Sequence, residues 1–236
     1  MSIATRVEAI SAGDAAGMPC HVAVPEGGSG PGILVIQEIF GVNDYVRGRA
    51  ETLAGLGYVA MAPDLYWRME PNVEIPHDEA GLQRAFGYMQ RLDEPRAVDD
   101  ASEALDRLRA LPEVRGGVAV LGFCMGGRIG YHVTAHSHPD AAVLYYGSGT
   151  ADALDLAPEV RCPVLFHFGA DDPYIPAEQV EAIRAAFAGR ADVEFDVQPG
   201  AQHAFDNYLA PMFHVEPARL AAWALTEDFL RRRLPS

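Results

Sequence analysis

Short, unbroken apolar runs recur along the chain, most of them stopping at glycine or aspartate, and stretches with apolar residues at helical spacing lie between them. Residues 32–37 (GILVIQ), 58–64 (YVAMAPD), 117–122 (GVAVLG), 141–147 (AAVLYYG), 162–169 (CPVLFHFG) and 192–198 (DVEFDVQ) read as strands. Residues 43–57, 95–111, 177–189 and 216–234 read as helices. Gly57 and Gly189 close two of them, because glycine takes the left-handed conformation that ends a helix. Pro95 suits a first helical turn, acids precede bases along 95–111, and Pro112 stops that helix.

Strands without polar alternation, separated by helices, predict an α/β fold. Its central sheet is mostly parallel, with helices on both faces. The opening runs, RVEAI (6–10) and CHVAV (20–24), are shorter and more polar and suit an antiparallel hairpin at the sheet edge. No repeat or long Pro/Gly linker divides the chain, so residues 1–236 read as one domain. The least regular stretch, residues 65–81, follows a strand, where α/β enzymes place substrate-covering segments.

Composition narrows the partners. The net charge of −15 repels nucleic-acid phosphates and anionic membranes, which excludes both. No apolar segment approaches the length of a membrane span, and the N-terminal residues hold no signal core. Cys20, Cys124 and Cys162 are odd in number, far apart and outside any C-x-x-C, so they read as free thiols in a reducing, cytoplasmic setting.

One of these thiols stands where chemistry is expected. Gly122-Phe-Cys124-Met-Gly126-Gly127 is a G-x-nucleophile-x-G turn with a strand before it and a helical stretch after it. Such a turn strains its central residue and leaves no room for side chains two positions away. It also lifts the central side chain to a helix N-terminus, which stabilises a thiolate and a developing oxyanion. The glycine spacing does not fit a dinucleotide-binding loop; a buried structural cysteine is the competing reading. A thiol nucleophile needs a base, and the base an orienting acid, in the chain order nucleophile, acid, histidine. Asp171 and Asp172 follow a strand at the right place, and of eight histidines only His203 has both the order and the strand–loop context.

Taken together, QEIFGVN (37–43), GYVAMAPDLY (57–66), GFCMGG (122–127), YYG (145–147), HFGADDPYIP (167–176) and AQHAF (201–205) make the chain resemble the dienelactone hydrolase (carboxymethylenebutenolidase) family, of α/β-hydrolase fold, over nearly its whole length. The resemblance implies that Cys124 is the nucleophile, His203 the base and Asp172 the orienting acid. Asp172 is preferred to Asp171 because the family's aspartate stands four residues before a proline, here Pro176. It further implies that Glu38 holds the thiol proton in the resting enzyme, and that the amides of Ile39 and Met125 form the oxyanion hole. Phe40, Trp67 and Tyr146 would line the pocket, by the resemblance or by their place at strand ends.

One departure bears on substrate. Family members clamp a substrate carboxylate with two arginines; the matching positions here are Asn207 and Leu82, with Arg84 two residues on. The expected activity is therefore hydrolysis of an ester or lactone through an acyl-thioester, without metal or organic cofactor, on a small substrate that needs no carboxylate. Alternatives of the same fold are a general carboxylesterase or acyltransferase, or a non-catalytic thiol sensor. A monomer or small homo-oligomer is expected.

Overall fold

The computed structural model describes residues 3–13 and 15–234, with the side chains of Ala15 and Ala16 left aside. Its centre is one eight-stranded sheet in the order β1-β2-β4-β3-β5-β6-β7-β8. The strands are β1 Ala4–Ala12, β2 Ala15–Val24, β3 Gly30–Ile36, β4 Val59–Pro63, β5 Val114–Phe123, β6 Ala141–Tyr145, β7 Val164–Gly169 and β8 Val193–Gln198. From β4 to β8 neighbouring strands are parallel; β1 and β2 form the antiparallel hairpin at the edge, and β2 joins the sheet antiparallel to β4. Every residue of β3 and β6 is buried, as strands covered on both faces require. This is the mostly parallel, doubly covered sheet that the alternation of runs predicts, and the α/β-hydrolase fold that the family resemblance implies.

Helices α1 (Asp44–Gly55), α2 (Glu79–Arg91), α3 (Glu94–Arg109), α4 (Met125–Ser137), α5 (Ala177–Ala186) and α6 (Glu216–Arg233) cover the sheet and its ends. α3 and α4 pack together on one face. On the other, α1 and α6 meet where the Arg49 guanidinium lies 4.2 Å from the Trp223 ring centre. Side-chain caps begin three of the helices. Asn43 Oδ1 accepts from the Tyr45 and Val46 amides at α1, and Asp78 and Asp93 do the same work at α2 and α3. None of the described helices is long and apolar enough to cross a membrane.

Two elements go beyond the sequence pattern. The excursion after β4 bridges Gly41 to Glu74 and then runs into α2, a full helix of 13 residues. A 3-10 segment, Thr150–Glu159, follows β6.

Candidate active site

The turn between β5 and α4 is built as its glycines require. Cys124 has φ 55° and ψ −117°, a conformation that side chains rarely adopt. A Cβ on Gly122 would lie 2.0 Å from the Gly126 carbonyl oxygen, and one on Gly126 would lie 2.3 Å from that of Ile36. The Cys124 amide donates to Tyr145 O at 3.0 Å, and Cys124 O accepts from Gly127 and Arg128. The thiol is thereby held above the strand ends at the first turn of α4. There the Met125 amide, as the first of the helix, has no acceptor within it.

Two loops bring side chains to the thiol. His203 follows β8 and its Nε2 lies 3.0 Å from Cys124 Sγ; its Nδ1 lies 2.7 Å from Asp172 Oδ2. The other Asp172 oxygen accepts from the Tyr174 amide at 2.8 Å, which fixes the carboxylate's orientation. Asp172 is buried beside the histidine, whereas Asp171 is exposed. Burial disfavours a charged His203, but the adjacent Cys124 and Asp172 charges outweigh it and raise its pKa. Ala204, next to His203, has φ 57°, and Tyr146, at the end of β6, has φ 36°. Three strained non-glycine residues therefore converge on one place.

Glu38, in the loop after β3, is 2% exposed. The sequence reading has it holding the thiol proton. In the structure the thiol's partner is His203, while Glu38 Oε2 accepts from Asn207 Nδ2 at 2.6 Å and Oε1 from Tyr146 Oη at 3.3 Å. A buried carboxylate is better satisfied by an amide at 2.6 Å, with a longer phenol contact beside it, than by one thiol. Burial raises its pKa from 4.5 to about 7 against the lowering effect of those two donors and of His203. The loop is pinned by Tyr66, whose hydroxyl donates to Ile39 O at 3.0 Å.

A cavity of about 100 Å³ opens at the thiol. Glu38, Ile39, Phe40, Cys124, His203 and Ala204 form its floor, and Leu82, Phe86, Met89, Ser148, Tyr174 and Phe213 its walls. Among these described lining residues there is no lysine or arginine. Leu82, Phe86 and Met89, each half-buried, come from one face of α2, which covers the site from the excursion.

The structure brings together Cys124, His203, Asp172, Glu38, Ile39, Met125 and Phe40, and it separates others from them. Trp67 lies outside the cavity wall, because its indole donates to Asp100 Oδ2 at 2.7 Å and stacks with Arg68. Arg84 is exposed on the far side of α2, over the Tyr88 ring. Tyr146 stands behind the cavity, with its ring 5.2 Å from that of His203. Asn207 is fully buried and occupied with Glu38, so it does not present itself to a substrate. Sequence reasoning missed Phe86, Met89, Ser148, Tyr174 and Phe213; the apolar spacing at 82, 86 and 89 was the signal for two of them, Phe86 and Met89.

Comparison with known proteins covers most of the chain. The dienelactone hydrolase family profile matches residues 18–234. A carboxymethylenebutenolidase from Pseudomonas sp. strain P51 is 36% identical over 216 residues, 91% of this chain and 90% of that one. Another, from Cupriavidus pinatubonensis, is 32% identical over 89% of each chain. Among solved structures, a dienelactone hydrolase-like promiscuous phosphotriesterase from metagenomic libraries superposes with a TM-score of 0.82 at 28% identity, covering 99% of this chain and 100% of the other. A dienelactone hydrolase from Anabaena variabilis shares the fold, with a TM-score of 0.72 at 18% identity over 98% of this chain and 99% of that one.

Proposed function

The chain belongs to the dienelactone hydrolase family, and from that premise we propose that it hydrolyses an uncharged ester or lactone through a thioester on Cys124. The observation that carries this reading is the Cys124–His203–Asp172 array at 3.0 and 2.7 Å, opening on a cavity whose lining holds no lysine or arginine.

With the proton on His203, the Cys124 sulfur attacks the substrate carbonyl carbon. The amides of Ile39 and Met125 receive the developing oxyanion. As the tetrahedral adduct collapses, the carbon–oxygen bond to the leaving alkoxide breaks and His203 gives that oxygen its proton; in a lactone the alcohol stays tethered. His203 then takes a proton from water, whose oxygen attacks the thioester. Collapse breaks the carbon–sulfur bond, the acid departs, and the proton remains on His203. Asp172 keeps Nδ1–H pointed at itself and supports the positive ring. Glu38, buried beside them and coupled to His203, favours the charged imidazolium.

A carboxylate entering this cavity would lose its water and meet Leu82, Phe86 and Met89. The two family arginine positions hold a leucine in the wall and a buried asparagine. Neutral substrates are therefore favoured, and a neutral phosphotriester, the class named for one structural relative, is a second electrophile for the same cavity. The free thiols Cys20, Cys124 and Cys162 suit a cytoplasmic enzyme.

The test compares a substrate acid with its methyl ester. The methyl ester should have the higher kcat/KM by about tenfold or more, since one missing charged hydrogen bond is worth that much. Equal or reversed preference would refute the neutral-substrate reading.

A further inference from the structure

Glu38 is the inner end of a polar chain that reaches a second, shallow surface pocket at His77. Asn207 Nδ2, which donates to Glu38, also lies 3.1 Å from His77 Nε2, and Asn43 Nδ2 lies 3.2 Å from the same ring nitrogen. Backbone amides decide which atoms carry hydrogen. Asn43 Oδ1 accepts from the Tyr45 and Val46 amides, so its Nδ2 must be the atom facing His77. Asn207 Oδ1 accepts from the Leu209 amide at 3.0 Å, so its Nδ2 faces Glu38 and His77. Two amino groups pointing at Nε2 leave that nitrogen one role, that of shared acceptor. His77 is then neutral, with its proton on Nδ1.

The surroundings hold this state. Phe40, part of the cavity floor, lies 4.4 Å from the His77 ring. Asp44 and Glu74 line the shallow pocket outside His77, but Arg47 pairs with both. Asp78, the next residue, is turned to the Gly81 amide, and Glu38 is reached only through Asn207. Burial lowers the His77 pKa, in the same direction as the two donors.

We propose that His77 is a positioning residue for this hydrolase: its neutral ring fixes Asn207, Asn207 fixes the Glu38 carboxylate, and proton uptake at His77 undoes that arrangement. The dependence follows from donors and acceptors. A proton on Nε2 makes it a donor facing two donors. Neither amide can turn to relieve this, because Asn43 Oδ1 is held by the Tyr45 and Val46 amides and Asn207 Oδ1 by the Leu209 amide. The charged ring therefore parts from Asn207, and Asn207 no longer holds Glu38. Acid then removes activity through His77 in addition to the groups at the thiol. The inference rests on the hydrolase reading above and extends it to a residue of the excursion.

The experiment measures kcat/KM against pH on a neutral ester for the wild type, His77→Gln and His77→Ala, beside 15N NMR of histidine-labelled resting enzyme. Expected are an acid limb steeper than one proton in the wild type and an Nδ1–H tautomer for His77. His77→Gln, whose Oε1 accepts from both amides without titrating, should keep the neutral rate within about threefold and show a one-proton limb. His77→Ala should lower kcat/KM by about tenfold, mostly in kcat. A wild-type limb of one proton left unchanged in His77→Gln would overturn the proposal. So would an Nε2–H tautomer, or a His77→Gln enzyme as impaired as His77→Ala. Iodoacetamide labelling separates the premise: activity that survives modification of Cys124 refutes the thioester reading, while the NMR result still decides the state of His77.

Discussion

Two histidine–aspartate pairs lie in this molecule at the same 2.7 Å separation between Nδ1 and a carboxylate oxygen, His203–Asp172 and His167–Asp196. They differ in what the other ring nitrogen meets. His203 Nε2 meets a thiol at a cavity; His167 Nε2 meets Thr226 Oγ1 at 3.0 Å, which in turn bonds the Tyr145 hydroxyl at 2.6 Å in the closed core. They differ also in how they are placed. His167 pairs with Asp196 across neighbouring strands, so the sheet register alone makes the contact. His203 and Asp172 come from separate loops, and Ala204 takes a strained backbone to bring the ring round. The pair itself is thus not the signature of a site. The third atom, and access to it, separate chemistry from structural satisfaction of a buried ring.

Paired substitutions break the comparison most sharply. Asp172→Asn should reduce kcat by about a hundredfold or more, because His203 loses its orientation and the support of its charge. Asp196→Asn should leave kcat within about threefold and lower stability by about 1–3 kcal/mol, the range for a lost charged hydrogen bond to a buried group. Its effect has a pH sign: hydrogen bonds from His167 and Gln198 outweigh burial and hold the Asp196 pKa below its ordinary value. That stability is present above the ordinary carboxylate range and is lost as pH falls through the folded value. Steady-state kinetics and thermal melts of both variants decide it; equal kinetic damage would erase the distinction.

Glu38 sharpens the same contrast, since it is a buried acid kept at a cost in stability. Between pH 4.5 and about 7 the folded protein holds a proton that the unfolded chain has released, so stability falls as pH rises through that window. The loss by pH 8 is at most about 3 kcal/mol. Glu38→Gln should lower kcat by about tenfold yet raise Tm at pH 8 by about 5 °C, with the gap closing by pH 5. A wild type more stable than the variant at pH 8 would contradict this. The smallest effect concerns the wall. Leu82→Arg places a cation beside the substrate and should shift the acid-to-ester preference by about three- to tenfold towards the acid, read from paired kcat/KM values.

The strands, the edge hairpin, the elbow and the order of Cys124, Asp172 and His203 were legible because each depends on local pattern or chain order. What was not legible depends on partners distant in sequence. Trp67 reads as a pocket residue until Asp100, on α3, is seen to take its indole. Arg84 and Leu82 are two residues apart, and only the roll of α2 over the cavity decides that the leucine faces inward. Asn207 reads as a lost clamp, yet its amide is committed to Glu38 and His77 in the interior. Phe213 and Tyr174 reach the cavity from loops whose course no periodicity encodes.

The central claim is a covalent one, so the most direct measurement is the mass of the enzyme quenched during turnover of a slow neutral lactone. Opening a lactone on sulfur loses no atoms. The account predicts a species heavier by the whole lactone, mapped by peptide digestion to Cys124 and absent in Cys124→Ala. Rapid turnover with no such species under conditions where hydrolysis of the intermediate is slow, or an adduct on Cys20, Cys162 or another residue, would contradict it.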